Sequence, residues 1–121
     1  MGLTAKMVTF DCADARALAR FWADATGGEV AQDFEGWFVV VATPALGIGA
    51  LGFQRVPETK AAKNRCHLDL VTDDRPGEVA RLVGLGARQG QEHSAGPLTW
   101  TRMEDPEGNE FCVALDLEAS E

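Results

Sequence analysis

A chain of 121 residues with 45% hydrophobic content can bury one ordinary core and lacks the length for a second independent one. Its formal charge of −8 argues against nucleic acid as a partner, because a phosphate backbone needs a clustered basic surface. The longest apolar stretch, residues 37–52, is interrupted by Thr43, Pro44 and several glycines and falls short of the ~20 residues a membrane helix needs. The opening residues carry neither the basic nor the long apolar region of a secretory signal, so the expected location is cytoplasmic, with no membrane partner. Cys12, Cys66 and Cys112 are odd in number and widely spaced, which fits reduced thiols better than a disulfide framework and excludes a CxxC zinc site.

In chain order, residues 7–12 alternate in character and read as a strand. After Asp14, the positions Leu18, Phe21, Trp22 and Ala25 recur at the spacing of a half-buried helix. Asp14 can cap that helix, and Gly27 and Gly28 can end it. Three strands are expected at 29–33, 37–42 and 48–56, with turns at Glu35-Gly36 and at Pro44 with Gly47. The pattern then restarts. Residues 65–72 read as a strand, Asp73-Asp74 as a cap, Pro76 as a first-turn residue, and Val79, Leu82 and Val83 as the apolar face of a second helix ending near Gly86. Further strands are expected at 88–92, 98–103 and 110–115, separated by turns at 94–97 and 105–109.

The order β-α-β-β-β therefore occurs twice. A shift of about 60 residues carries Met7 onto His67, Asp14 onto Asp74 and Trp22 onto Leu82, as in two copies of one supersecondary unit. One domain is expected, with a first unit at 1–57, a linker at 58–64 whose lysines are solvated, and a second unit at 65–121. A four-stranded unit with one helix leaves a sheet face open, so two copies form a minimum fold, and a homodimer is expected.

The segments Asn64-Arg65-Cys66-His67-Leu68-Asp69-Leu70, Leu85-Gly86-Ala87 and Asp105-Pro106-Glu107-Gly108-Asn109-Glu110-Phe111-Cys112-Val113, together with Phe21-Trp22, resemble the glyoxalase-like branch of the vicinal-oxygen-chelate superfamily. The resemblance implies an α+β fold in which two tandem βαβββ units form a curved mixed sheet, an incomplete barrel around a cavity. It does not fix a reaction. Members isomerise thiol adducts, cleave aromatic rings, epimerise acyl thioesters or sequester antibiotics, so the site must decide.

In metal-using members, four ligands come from the first and last strands of the two units. The corresponding places here look like Met7, Leu51 or Gly52, His67 and Cys112, of which only His67 is an ordinary ligand for such an ion. The expectation is a protein without the usual metal site, with a divalent cation as the alternative. Strand parity puts Asp69 on the face of His67, where it can hold the ring's tautomer, and puts Glu110 and Cys112 together on the last strand. His67 and Glu110 are the candidate catalytic groups. Asp69, Gln54, Trp100, Arg102, Trp37 and Cys112 are the candidate ligand contacts, Trp100 and Arg102 sharing a strand face where they can flank a planar ligand. Each has a plainer alternative: a hydrogen-bonded structural histidine, a small buried thiol at Cys112, a solvated strand end at Gln54, core packing at Trp100, a covered sheet edge at Trp37. Trp22 belongs to the core.

No phosphate loop, serine elbow or HExxH pair is present. The first reading is a metal-independent small-molecule binder with lyase- or isomerase-like character. The alternatives are a metal-dependent lyase or dioxygenase, an antibiotic-sequestering protein whose acidity favours a cationic drug, or a domain whose sheet serves mainly to dimerise.

Overall fold

The computed structural model describes residues 2–117; Met1 and the last four residues of the expected second unit, 118–121, lie outside them. The chain divides into two compact units, 1–59 and 60–121. Among the described residues no helix is long and apolar enough to cross a membrane.

The first unit runs β1 (Met7–Cys12), α1 (Ala15–Thr26), β2 (Glu29–Phe34), β3 (Phe38–Ala42) and β4 (Ala50–Arg55). Asp14 starts α1 by accepting the Ala17 N–H at 3.1 Å, and Gly27 ends it in the left-handed region at φ 70°. The four strands form one mixed sheet in the order β1-β4-β3-β2, with β1 parallel to β4. The apolar stripe of α1 explains its packing: Leu18, Ala19, Phe21 and Trp22 are buried, as are Val39, Val41, Leu51 and Phe53 on alternate positions of β3 and β4. Phe10 joins them, with ring centroids 5.3 Å from both Trp22 and Phe53. The β2–β3 reversal needs two consecutive left-handed residues, Glu35 at φ 53° and Gly36 at φ 75°, the geometry of a tight hairpin turn.

The second unit repeats this plan: β5 (Asp69–Thr72), α2 (Arg75–Leu85), β6 (Arg88–Ala95), β7 (Leu98–Glu104) and β8 (Glu110–Leu115), in the order β5-β8-β7-β6 with β5 parallel to β8. Asp74 caps α2 through the Gly77 N–H at 3.1 Å, as Asp14 caps α1. Each second strand of a unit's helix-to-strand run is bulged, between Val30 and Gln32 and between Gln89 and Glu92. One ion pair recurs as well. Arg16 binds Asp33 at 2.7 Å in the first unit and Arg75 binds Glu92 at 3.1 Å in the second, each joining the start of a helix to the strand that follows it. Asp33 is held below the usual carboxylate range, first by the hydrogen bond from Arg16 and then by the Gly36 N–H. Arg75 also reaches the buried Thr101 at 2.7 Å, which fixes the face of β7 that α2 covers. On that face Met103, Phe111 and Val113 are buried, as are Val79 and Leu82 of α2.

Several expected boundaries move. The strand expected at 65–72 begins only at Asp69, with bends at Arg65 and Cys66, so His67 stands just ahead of β5. Pairing still reaches back one residue through Cys112 N–H to Leu68 O at 2.9 Å. The turn expected at 94–97 contracts to Gly96-Pro97, because Gly96 at φ 60° allows a two-residue reversal and β6 extends to Ala95. The strands expected at 37–42 and 48–56 shorten to Phe38–Ala42 and Ala50–Arg55. Thr43 causes the later start of β4 by tying its N–H to Gly49 O at 3.1 Å and its hydroxyl to Ile48 O at 2.8 Å.

Candidate functional site

The face of the second sheet opposite α2 carries the candidate chemistry. Period-two alternation along β5, β7 and β8, combined with the pairing register, arranges side chains on this face in rows across the strands. One row holds Val71, Ala114, Trp100 and His93; the next holds Asp69, Cys112 and Arg102. His67 stands beside the second row. Together these residues line a concavity of about 580 Å³, which also includes Lys63, Leu98 and Glu110.

The structure thus brings six of the sequence-nominated residues to one place: His67, Asp69, Trp100, Arg102, Glu110 and Cys112. Gln54 and Trp37 stand in the first unit. Gln54 is exposed on β4, where its carbonyl accepts the Cys12 thiol at 3.4 Å. Trp37 is 58% exposed, with the Arg55 guanidinium 3.8 Å above its ring centroid.

His67 Nδ1 lies 3.0 Å from Asp69 Oδ1. That contact turns Nδ1 toward the carboxylate and leaves Nε2 on the opposite edge of the ring. The half-buried Cys112 thiol stands beside Asp69, their ligand atoms within 4.8 Å of each other. Burial foremost, then the negative charge and hydrogen bonding of Asp69, push the Cys112 thiol above its ordinary range, against the weaker opposing pull of Lys63 and Arg102. Cys112 is therefore a protonated donor at neutral pH rather than a nucleophile.

Glu110 is differently placed. It is only 6% exposed, and its two carboxylate oxygens are divided between the Asn64 N–H at 2.8 Å and Lys60 Nζ at 3.1 Å. Asn64 Nδ2 returns a bond to Glu110 O at 3.1 Å. Burial alone would raise its pKa. The Asn64 N–H, Lys60 and Lys63 outweigh that and hold it below the usual range. This carboxylate fastens segment 60–64 to β8.

The turn that carried most of the sequence resemblance has a structural reason. Asp105, fully buried, accepts the N–H groups of Glu107 at 2.9 Å and Asn109 at 3.0 Å, and both its oxygens take the Asn109 side-chain amide. Gly108 at φ 87° completes the reversal.

Of the four places that correspond to metal ligands, Gly52 offers no side chain, Leu51 is fully buried on the α1 side, and Met7 offers a thioether. Gly52 is also tightly enclosed: a Cβ there would fall 2.9 Å from both Phe38 Cζ and Thr9 Oγ1. His67 and Cys112 remain, and Asp69 adds a third donor, the three donor atoms lying within 4.8 Å of one another. One imidazole, one carboxylate and one thiol make a set of the size a catalytic zinc-type ion uses with an open position.

Sequence reasoning missed His93 and Lys63. His93 stacks on Trp100 with centroids 5.6 Å apart, and a two-residue turn at Gly96-Pro97 would have placed it by parity. Lys63 carried no signal, because its position depends on the Asn64–Glu110 tether.

Solved structures with this fold are numerous. A glyoxalase/bleomycin resistance protein/dioxygenase family enzyme from Burkholderia phytofirmans PsJN is 18% identical, with a TM-score of 0.75 over 93% of this chain and 98% of that one. A glyoxalase-related enzyme from Fulvimarina pelagi is 15% identical, with a TM-score of 0.73 over 96% and 89%. Lactoylglutathione lyase from Agrobacterium tumefaciens is 17% identical, with a TM-score of 0.69 over 95% of each chain. No curated protein matches the chain in sequence. These likenesses, with the doubled βαβββ order, define the α+β fold of the vicinal-oxygen-chelate type. The chain belongs to the glyoxalase-like domain family, whose model matches residues 7–114.

Proposed function

We propose that the second unit binds a small organic molecule in the concavity on its open sheet face, with the His67–Asp69 pair meeting the polar or reactive part of that molecule. The observation that carries this reading is the convergence of an oriented imidazole, a stacked aromatic pair and a guanidinium on one space of about 580 Å³. That volume lies within the range of small-molecule sites, and a mainly apolar wall with a few polar groups is their usual make-up. In a lyase- or isomerase-like reaction, His67 Nε2 would take a proton from a bound carbon or hydroxyl acid while Asp69 steadies the imidazolium, and the Cys112 thiol would donate a hydrogen bond. Glu110 acts as the tether of segment 60–64 in this reading and not as the base.

A second reading rests on the clustered donors: His67, Asp69 and Cys112 would hold a divalent ion, whose bound form would polarise a substrate oxygen. In that case Cys112 must lose its proton and Asp69 must turn from its hydrogen bonds to the ion. Elemental analysis of untagged protein prepared without chelator separates the two. Stoichiometric metal that disappears in His67→Ala supports the ion. Absence of metal, and no rise in Tm on adding Ni, Zn, Mn, Fe or Co, supports the metal-independent site, since a bound ion must stabilise the folded state.

A further inference from the structure

The concavity also carries information about the charge of what it takes. The chain has a formal charge of −8, yet the two cations at this cavity, Lys63 and Arg102, make no ion pair or side-chain hydrogen bond among the described residues. Elsewhere in this unit Lys60, Arg75 and Arg81 pair with Glu110, Glu92 and Glu78, while Arg65 and Arg88 make no ion pair among the described residues and do not line this cavity. Two cations that make no ion pair beside an apolar wall, Lys63 acting on Glu110 only through its field, leave positive charge facing the cavity of an acidic protein.

The pairing register gives the spacing. Trp100 and Arg102 point to the same face of β7 two residues apart, so their attachment points are about 7 Å from each other along the strand. Trp100 is stacked with His93 across the hairpin, which makes a flat aromatic platform flanked by Leu98 and Ala114. Of the acids on this face, Glu104 is two residues from Arg102 on β7; Glu110 is on the adjacent strand and already bound to Asn64 and Lys60; Asp69, held by His67, is separated from Arg102 by the whole of β8, about 10 Å between backbones. A second, more polar depression of about 540 Å³ shares Lys63, Arg102 and Glu110 with the first, leaving room for a polar substituent beyond the cations.

We propose that the concavity selects a planar aromatic molecule bearing a carboxylate or equivalent anion, with its ring against Trp100 and His93 and its anion at Arg102 and Lys63. This deepens the reading of the concavity as a small-molecule site and rests on it. It runs against the cationic drug of the antibiotic-sequestering alternative. The guanidinium can hold a carboxylate through two parallel N–H donors, and Lys63 adds a point charge.

The test uses three probes of one size: 3-phenylpropionate, 3-phenylpropanol and 3-phenylpropylamine, titrated into the full chain and followed at the Trp100 indole N–H by NMR. The acid is expected to bind at least about tenfold more tightly than the alcohol, with the amine weakest. Arg102→Gln should remove that preference by weakening the acid far more than the alcohol, and Lys63→Gln should reduce it in part. Both positions are exposed and unpaired, so these variants should fold as the parent does. Trp100→Leu, followed at the backbone amides of β7 and β8, should weaken all three probes alike. Equal or tighter binding of the alcohol or amine, with Trp100 responding, would overturn the anion preference and leave the small-molecule site standing. No response at Trp100 to any probe at about 10 mM would overturn both.

Discussion

Glu110→Gln tests whether this carboxylate is a structural tether or a chemical group. The substitution keeps shape and still allows an oxygen to accept the Asn64 N–H, but it turns an amide toward Lys60 Nζ, where an anion stood 3.1 Å away. Breaking a buried ion pair by removing one partner can cost about 3–5 kcal/mol. Here the side chain of Lys60 is 29% exposed and regains water, and the substitution also relieves the burial of a charge. A loss of about 2 kcal/mol is therefore expected, a fall in Tm of roughly 6–10 °C for a chain of this size. The pH dependence has a definite sign. Glu110 is depressed in the folded state, so its contribution is complete above the ordinary glutamate range and disappears as pH falls through its folded value. The gap in Tm between parent and variant should be widest near neutrality and close on acidification. Thermal melts from neutral pH down to about pH 3, with ligand titrations well below both melting points, provide the assay. An unchanged Tm at neutral pH, a gap that widens in acid, or a folded variant that has lost ligand binding would each refute the tether.

Asp105→Ala removes the acceptor for two backbone N–H groups and the Asn109 amide in a buried turn, and should destabilise by about 3 kcal/mol, with Asp105→Asn intermediate, as read from chemical denaturation. Thiol alkylation of the native protein should follow exposure: Cys66 first, Cys112 later, and Cys12 only on unfolding, by mass spectrometry at timed intervals. In a Cys66→Ser background the rate at Cys112 should keep rising at pH values where an ordinary thiol has levelled off, because burial and the charge of Asp69 disfavour its thiolate; a rate that levels early would contradict that environment.

The fold was legible because each unit states its own punctuation. Asp14 and Asp74 sit before helical stripes, and Gly27 and Gly86 after them. The site was legible where parity suffices: on β7 and β8 the alternation that buries Met103, Phe111 and Val113 must turn Arg102 and Cys112 the other way. It failed where position depends on tertiary ties. Segment 60–64 reads as a solvated linker, since nothing local shows that Asn64 and Lys60 converge on Glu110 from across the unit. Glu110 shares a face with Cys112 and so looked like an acid–base group, but the same long-range ties consume both its oxygens. Parity alone makes Asp69 a partner for His67; that it stands as a third donor beside Cys112 depends on the parallel pairing of β5 with β8. The Arg16–Asp33 and Arg75–Glu92 pairs went unnoticed, although their common spacing repeats in the sequence.

The central claim is that the open face of the second sheet holds a small molecule. Nitrogen–proton correlation spectra recorded against a panel of neutral, anionic and cationic aromatic fragments test it most directly. The account predicts saturable shifts centred on the Trp100 indole and on the amides of β5, β7 and β8, with Trp22, fully buried against the first sheet, unaffected. Shifts that bypass Trp100, or no saturable response to any fragment, would contradict it.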